Sequence, residues 1–174
     1  MSPFISIIIP FYGTADPVLL QRCLDSIRRQ GMEEGSYEII VVDDNGKGLG
    51  GARNQGIRQA TGTYLMFVDA DDYLFPNLSY CFPYLLKYTP DVCSFQMCEV
   101  NRPGVIPQSF NYKWEVYESG AEYMSKNNFM GTAWRHFFSR SFLNIHGLAF
   151  AESCFHEDED FVAKAYCLAS TTLI

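Results

Sequence analysis

Acidic side chains occur in three short groups whose spacing suits chemistry on an oxygen-rich ligand. Asp69 and Asp71 are separated by one residue and follow a run of apolar residues. Two carboxylates at this spacing can face one cleft, and hard cations such as Mg²⁺ and Mn²⁺ prefer oxygen ligands. The pair predicts either a cation site or an ordinary turn. Its position directly after a strand-like run favours the cation site.

The other two groups each allow two interpretations. Asp43-Asp44-Asn45-Gly46 is typical of a turn, yet Asp44 at a strand end is also suited to accept hydrogen bonds from a nucleobase or a ribose. The four acids of residues 157–160 suit the first turn of a helix, where the helix dipole favours negative charge. One of them is alternatively a general base that faces the cleft. Composition does not say which acid that is.

The elements that must position these groups alternate between strand and helix. Apolar runs over 5–9, 37–42 and 64–68 predict buried parallel strands. Asp16 and Pro17 predict the N-cap and first residue of a helix that continues to about residue 29. A glycine-rich loop then leads to a second helix, which ends near residue 60. This order predicts an α/β fold, with a Rossmann-like, mostly parallel sheet flanked by helices.

The second half of the chain is less regular. Its patterns predict helices over 76–88, 118–127 and 157–169, strands over 91–98 and 132–138, and a loop or short hairpin over 99–118. Ligands of open α/β sheets bind beyond the carboxyl ends of the strands. Because the acidic groups at 43–44 and 69–71 follow two of these strands, we expect them to converge at one edge of the sheet.

Composition excludes several classes of protein. The chain has 13 Lys and Arg against 20 Asp and Glu, a net charge of −7, which disfavours nucleic acid as a partner. The longest apolar stretch, over 4–12, is too short for a transmembrane segment. Six cysteines without a Cys-x-x-Cys pair are typical of reduced thiols in the cytoplasm. Neither the glycine pattern of a nicotinamide site nor that of a P-loop is present.

Four segments in a fixed order resemble the family 2 glycosyltransferases of the GT-A fold, which are inverting enzymes. The resemblance covers residues 5–166 and rests on the following segments: Ser6 to Tyr12, Glu38 to Asp44, Gly51 to Ile57 with Thr61 to Asp72, and Phe155 to Phe161. It implies a nucleotide-sugar site at the carboxyl ends of the strands.

The resemblance also implies a role for each matching residue of the nucleotide site. Pro10 and Tyr12 would line the base pocket, and Asp44 would accept a hydrogen bond from the base. Arg53 would help to hold the nucleotide.

Three further carboxylates would serve the reaction. Asp69 would contact the ribose or a metal, and Asp71 would bind the Mn²⁺ or Mg²⁺ that bridges the donor diphosphate. Asp158 would be the general base.

The function implied is transfer of a sugar from a nucleotide-diphospho-sugar, expected to be a UDP-sugar, to a hydroxyl of a glycan or lipid-linked acceptor. Cell-surface polysaccharide synthesis is the expected pathway, in the cytoplasm or peripherally at the inner face of the membrane. We expect residues 1–174 to form a single GT-A domain that is truncated at its C-terminal end. Residues 1–98 would form its nucleotide-sugar-binding half and residues 99–174 an incomplete acceptor-side half.

Two other functions stay open at this point. One is a non-catalytic nucleotide-sugar-binding module. The other is a phosphatase of the haloacid dehalogenase type, which also uses two carboxylates after a hydrophobic strand.

Overall fold

The computed structural model describes residues 2–11, 16–44, 46–95, 114–128 and 130–174. Within these residues the strands are Ile5–Phe11 (β1), Tyr37–Asp43 (β2), Tyr64–Phe67 (β3), Val92–Ser94 (β4), Val116–Tyr117 (β5), His136–Ser139 (β6) and Thr172–Leu173 (β7). The helices are Pro17–Arg28 (α1), Gly48–Gln59 (α2), Phe82–Tyr88 (α3), Gly120–Lys126 (α4), Arg140–Ile145 (α5) and Glu157–Leu168 (α6).

The strands form one sheet in the order β2-β1-β3-β6-β4-β7-β5. Strands β1, β2 and β3 are parallel, and β4 is parallel to β7. Strand β6 is antiparallel to both β3 and β4, and β5 is antiparallel to β7. The sheet is therefore mixed and mostly parallel, which confirms the predicted α/β fold.

Two apolar cores lie on the two faces of the sheet. Alternate residues of β1 point to opposite faces, so that Ile7 packs in one core and Ile8 in the other. The core that contains Ile7 includes residues of α1 and α3, and the core that contains Ile8 includes residues of α2, α4, α5 and α6. Because both faces of the central strands are covered, their sequences are apolar at nearly every position.

The first helix follows its sequence signals, whereas the second begins earlier than predicted. Asp16 caps α1 by accepting a hydrogen bond from the Val18 amide, and Pro17 is the first helical residue. Helix α2 already begins at Gly48, so the predicted loop over 46–51 is largely helical. Gly50 is suited to this helix because an added Cβ would collide with the backbone carbonyl of Ala151. Gly50 therefore serves close packing, whereas Gly46 and Gly48 have positive φ values of 80° and 73° where the turn leads into the helix.

Other differences lie in the second half of the chain. The helix predicted over 76–88 is divided into a 3₁₀ turn, Leu78–Cys81, and α3, because Pro83 lacks the amide hydrogen that a continuous helix needs. The predicted strand 91–98 is shorter, and its residues from 96 onwards lie outside the described residues, as does most of the predicted loop or hairpin over 99–118. Helix α5 was not predicted. The predicted strand at 132–138 begins with a 3₁₀ turn before β6.

Candidate functional site

The carboxyl ends of the first three strands bring three of the predicted site residues to one edge of the sheet. Phe11 pairs with Asp43 across β1 and β2, and the Val68 amide donates to the Ile8 carbonyl just beyond β3. Pro10 is buried in β1, while Asp44 and Asp69 each follow a strand at this edge. Tyr12 lies outside the described residues, so its predicted place in a base pocket stays a prediction.

Asp44 stabilises the turn between β2 and α2. Its amide donates to the Phe11 carbonyl over 3.1 Å, and its Oδ1 accepts from the Lys47 amide over 2.9 Å. The side chain is only partly buried. The turn interpretation and the nucleobase interpretation are compatible, because a carboxylate can accept hydrogen bonds at both of its oxygens.

Arg53 connects the end of β3 to the start of α6. Its side chain is only 2% exposed. Nη1 donates to Glu157 Oε1 over 2.7 Å, and Nη2 donates to Asp69 Oδ1 over 3.0 Å. The guanidinium carbon also lies 5.3 Å from the centre of the Phe150 ring. A planar, permanently charged fork is suited to hold two carboxylates at once.

This ion cluster (Arg53, Asp69 and Glu157) includes the first residue of α6. Glu157 is the first residue of that helix and is 7% exposed. Asp158 follows it directly and is partly exposed, with Oδ1 accepting from the Glu159 amide over 3.1 Å. The structure therefore brings the predicted general base to the same edge as Asp69.

The segment that precedes α6, residues 148–156, is fastened to α2 and to the turn before it. The Asn54 amide group donates to the Phe150 carbonyl over 2.9 Å and accepts from the Phe150 amide over 2.8 Å. The Ser153 amide donates to the Lys47 carbonyl over 2.9 Å. An exposed ion pair joins Lys47 to Glu152 over 3.1 Å. The approach to α6 is thus fixed by backbone contacts as well as by the ion cluster.

The acidic group at 69–72 makes this edge of the sheet strongly negative. Asp71 is exposed, and Arg22 donates a hydrogen bond to its carbonyl. Burial, followed by the negative charges of Asp69 and Asp71, raises the pKa of Asp72 above its usual value. An added positive charge at this edge would relieve the repulsion that these carboxylates exert on one another.

The carboxylates suit a divalent cation held partly by a substrate. In the described residues no cluster of three or more His, Cys, Asp or Glu side chains is arranged to hold a metal ion by itself. Mg²⁺ usually takes one or two protein carboxylates and fills its other positions with water and substrate phosphate. Asp69 and Asp71 provide such a set of hard oxygen ligands, with Asp69 27% exposed.

The contacts of two residues of this site were not predicted from the sequence. Glu157 was one of four adjacent acids, and nothing in its surroundings indicated that it pairs with Arg53, 104 positions away. Asn54 lies in the middle of α2, and its side chain binds the backbone of residue 150. Neither contact has a local sequence signal.

The fold and the acidic edge define a GT-A type of α/β protein, and comparison with known sequences gives the family. The sequence matches Glycosyl transferase family 2 over residues 6–47 and 45–144. This match covers most of the chain. The chain therefore belongs to family 2 of the glycosyltransferases.

Two curated relatives illustrate the similarity. The poly(ribitol-phosphate) beta-glucosyltransferase of Bacillus spizizenii strain W23 is 37% identical in a region that covers 40% of this chain and 15% of that protein. The uncharacterized glycosyltransferase EpsJ of Bacillus subtilis strain 168 is 29% identical over 95% of this chain and 57% of that protein. The chain thus spans little more than half the length of EpsJ.

Solved structures share the fold. TarS of S. aureus, residues 1–349, superposes with a TM-score of 0.81 and 24% identity over 99% of this chain and 57% of that chain. TarS has also been solved with UDP and with UDP-GlcNAc. The mannosyltransferase PcManGT from Pyrobaculum calidifontis, in complex with GDP-Man and Mn²⁺, gives a TM-score of 0.67 at 16% identity over 99% of this chain and 54% of that chain. Among the described residues, no helix has the length and apolar character needed to cross a bilayer.

Proposed function

We propose that this chain carries the donor site and the general base of an inverting glycosyltransferase. The enzyme transfers a sugar from a nucleotide-diphospho-sugar, most simply a UDP-sugar, to a hydroxyl of a glycan or lipid-linked acceptor. The observation that carries the proposal is the ion cluster. Through Arg53, the strand end that bears Asp69 and the helix start that bears Asp158 lie at one edge of the sheet.

The donor side of the proposal assigns the diphosphate to the acidic edge. A diphosphate would be repelled by Asp69 and Asp71 unless a cation lay between them, so Mn²⁺ or Mg²⁺ would be held by these two residues. Such a cation, when bound, supplies positive charge that stabilises the departing diphosphate. Pro10, Tyr12 and Asp44 would receive the base.

Arg53 has a different relation to the donor. Both terminal nitrogens of its buried guanidinium bind carboxylates. Arg53 would therefore support the nucleotide by holding Asp69 in place, and any direct contact with the nucleotide stays a prediction.

The acceptor side of the proposal depends on Asp158. A sugar hydroxyl is a weak nucleophile, and a carboxylate within reach takes its proton as it attacks the anomeric carbon. Displacement from the face opposite the leaving diphosphate inverts that carbon. Asp158 is suited to this role because it is partly exposed at the acidic edge, whereas the neighbouring Glu157 is buried by its ion pair.

The setting of this activity is proposed from family and composition. The relative from Bacillus spizizenii is named as a poly(ribitol-phosphate) glucosyltransferase, which supports cell-surface polysaccharide synthesis. Cys23, Cys81, Cys93, Cys154 and Cys167 are all free, as is typical of a reducing compartment. We therefore propose activity in the cytoplasm, at the inner face of the membrane. Residues 1–98 would form the donor half and residues 99–174 part of the acceptor side.

Calorimetric titration of UDP, GDP and ADP, with Mn²⁺ and with EDTA, tests the donor site. We expect one nucleotide to bind only with the metal, and Asp71→Asn to abolish that binding. Asp25→Asn is the matched control, because Asp25 is an exposed carboxylate on α1 that pairs with Arg28. Equal affinity with Mn²⁺ and with EDTA would contradict the assigned metal site.

A second measurement tests the base. UDP release from UDP-glucose or UDP-GlcNAc is followed with a panel of glycan acceptors. Asp158→Asn should retain nucleotide binding and lose at least about 100-fold in transfer, whereas Asp160→Asn, in the same acidic group but paired with Lys164, should change little. Nucleotide binding by the unmodified chain without any transfer would favour the alternative of a non-catalytic binding module. Because the matched family and the curated relatives are glycosyltransferases, the phosphatase alternative is disfavoured.

A further inference from the structure

Phe155 is an aromatic side chain that the fold holds out in solvent. It is 94% exposed, more than any other large apolar side chain among the described residues. A single exposed apolar residue is common on protein surfaces. The significance of Phe155 therefore depends on where it lies and on how its backbone is held.

Its position is next to the proposed base. Phe155 precedes Glu157 by two residues and Asp158 by three. Consecutive Cα atoms lie about 3.8 Å apart, so the Cα atoms of Phe155 and Asp158 are at most about 11 Å apart. That distance is comparable to the length of a disaccharide. A sugar bound on Phe155, or the next sugar of the same glycan, would therefore lie within reach of Asp158.

The backbone around Phe155 is ordered by specific contacts. The Ser153 amide is bonded to the Lys47 carbonyl, and Glu157 is buried against Arg53. Phe155 lies between two residues in the left-handed region, Ser153 with φ 56° and His156 with φ 61°. This conformation is uncommon for residues other than glycine and is unfavourable for them. The contacts on both sides hold the segment in this conformation, and it directs the ring outwards.

The surroundings of Phe155 combine apolar and carboxylate groups. An added Cβ at Gly131 would lie 2.7 Å from the Cα of Glu159, so residues 130–131 pack directly against the first turn of α6. Met130 is 43% exposed beside that turn. The first turn of α6 thus lies near an exposed aromatic ring, Phe155, and near the partly exposed Met130, whose sulfur accepts a hydrogen bond from Arg135. Because the carboxylates of this turn would repel anionic lipids, this face of the protein is not suited to contact the membrane at whose inner face the activity is proposed.

A pyranose ring combines an apolar face and hydroxyl donors, which are complementary to the aromatic ring and the carboxylates of this surface. One face of the ring consists of C–H groups, which pack on an aromatic ring, and its edge carries hydroxyls, which donate to carboxylates. We propose that Phe155 is the stacking platform of an acceptor subsite that binds the C–H face of a pyranose and directs a hydroxyl towards Asp158. The inference rests on the proposed function, because it takes Asp158 as the base.

Saturation-transfer NMR tests the subsite, with methyl β-D-glucopyranoside as the probe and ribitol as the open-chain polyol without a ring face. Stacking would cover roughly a quarter of the 150–250 Å² of an aromatic side chain, about 50 Å². At about 25 cal/mol per Å² this corresponds to about tenfold in affinity. We expect Phe155→Ala to weaken glucoside binding about tenfold, Phe155→Trp to retain it, and ribitol to be insensitive to both changes.

Two controls separate this inference from a general loss of structure and from the proposed function. The matched variant is Ile145→Ala, which also removes an exposed apolar side chain (79% exposed). Ile145 lies on α5, which follows Ser139, and Ser139 pairs with the first residue of β3. The control is therefore at the edge of the sheet opposite to Asp69. It should leave glucoside binding unchanged. UDP titration and the thermal midpoint should be the same in all variants. If UDP binds and Phe155→Ala binds the glucoside as the unmodified chain does, the inference is overturned and the proposed function stands. Failure of UDP to bind overturns the proposed function instead.

Discussion

The buried ion cluster makes a quantitative prediction for Arg53→Met. Methionine approximates the volume of the arginine stem but removes the guanidinium. Glu157, which is 7% exposed, would then be a buried carboxylate without the partner that now lies 2.7 Å away. Asp69, which is 27% exposed, would lose a partner at 3.0 Å but could be hydrated. Most of the cost therefore arises at Glu157.

The expected size of the effect is large for a chain of this length. Removal of one partner from a buried pair typically costs about 3–5 kcal/mol, against a total stability of about 5–15 kcal/mol for a domain. Glu157→Met should cost less, because Arg53 would keep Asp69 as a partner. The double variant removes both buried charges, so its cost should be smaller than the sum of the two single costs by at least about 1 kcal/mol.

Urea unfolding followed by circular dichroism measures these free energies. The control is Lys164→Met on the same helix, whose pair with Asp160 at 2.6 Å is solvent-exposed on both sides. That change should cost less than about 1 kcal/mol. The reasoning is refuted if Arg53→Met costs no more than Lys164→Met, or if the Arg53 and Glu157 effects add within about 0.5 kcal/mol.

Three further predictions concern stability and reactivity. Burial, followed by the charge of Arg135, lowers the pKa of His136 to about 3. The unfolded chain therefore binds a proton at His136 below about pH 6.5 that the folded chain does not bind, and stability falls as pH falls from about 6.5 towards 3. This term amounts to about 2 kcal/mol between pH 7 and pH 5. Urea unfolding at both pH values should show this pH-dependent loss of stability in His146→Gln, whose side chain is exposed, and not in His136→Gln. Equal pH dependence of the free energy of unfolding in both variants would contradict the prediction. Gly50→Ala should destabilise by about 1–3 kcal/mol in thermal unfolding, despite the better helix propensity of alanine, because the new Cβ meets a backbone carbonyl; a stabilised variant would show that the contact relaxes without cost. Burial, followed by the charges of Asp72 and Asp69, raises the pKa of Cys23 to about 12, so iodoacetamide at pH 8 should label the exposed Cys154 well before Cys23; comparable rates by peptide mapping would contradict that order.

Local signals predicted the first half of the fold well. Asp16 and Pro17 marked the start of α1, and apolar runs marked β1, β2 and β3. These signals work because capping, the fixed φ of proline and burial on both faces of a strand act over a few neighbouring residues. The start of α2 was predicted too late. Glycine has a low intrinsic helix propensity, and only the tight contact between Gly50 and residue 151 explains its place in a helix.

A strand was predicted over 132–138, but the antiparallel direction of β6 had no local signature. Its residues resemble those of a parallel strand. However, β6 follows a 3₁₀ turn and lies between β3 and β4, antiparallel to both. Helix α5 has six residues and follows β6 directly, which is too short for helical periodicity to be distinguished. Both elements depend on contacts with distant parts of the sheet.

The sequence by itself determined the alternation of strands and helices, the acidic edge at the strand ends and, through four ordered segments, the family. Those properties are local, or follow from the handedness of βαβ units. Only the tertiary structure decided which acid is buried and which is exposed. Arg53 neutralises Glu157 from 104 positions away, and Asp158, one residue later, stays open to solvent. A pairing across such a separation is determined by the packing of α2 against α6, which no short stretch of sequence encodes.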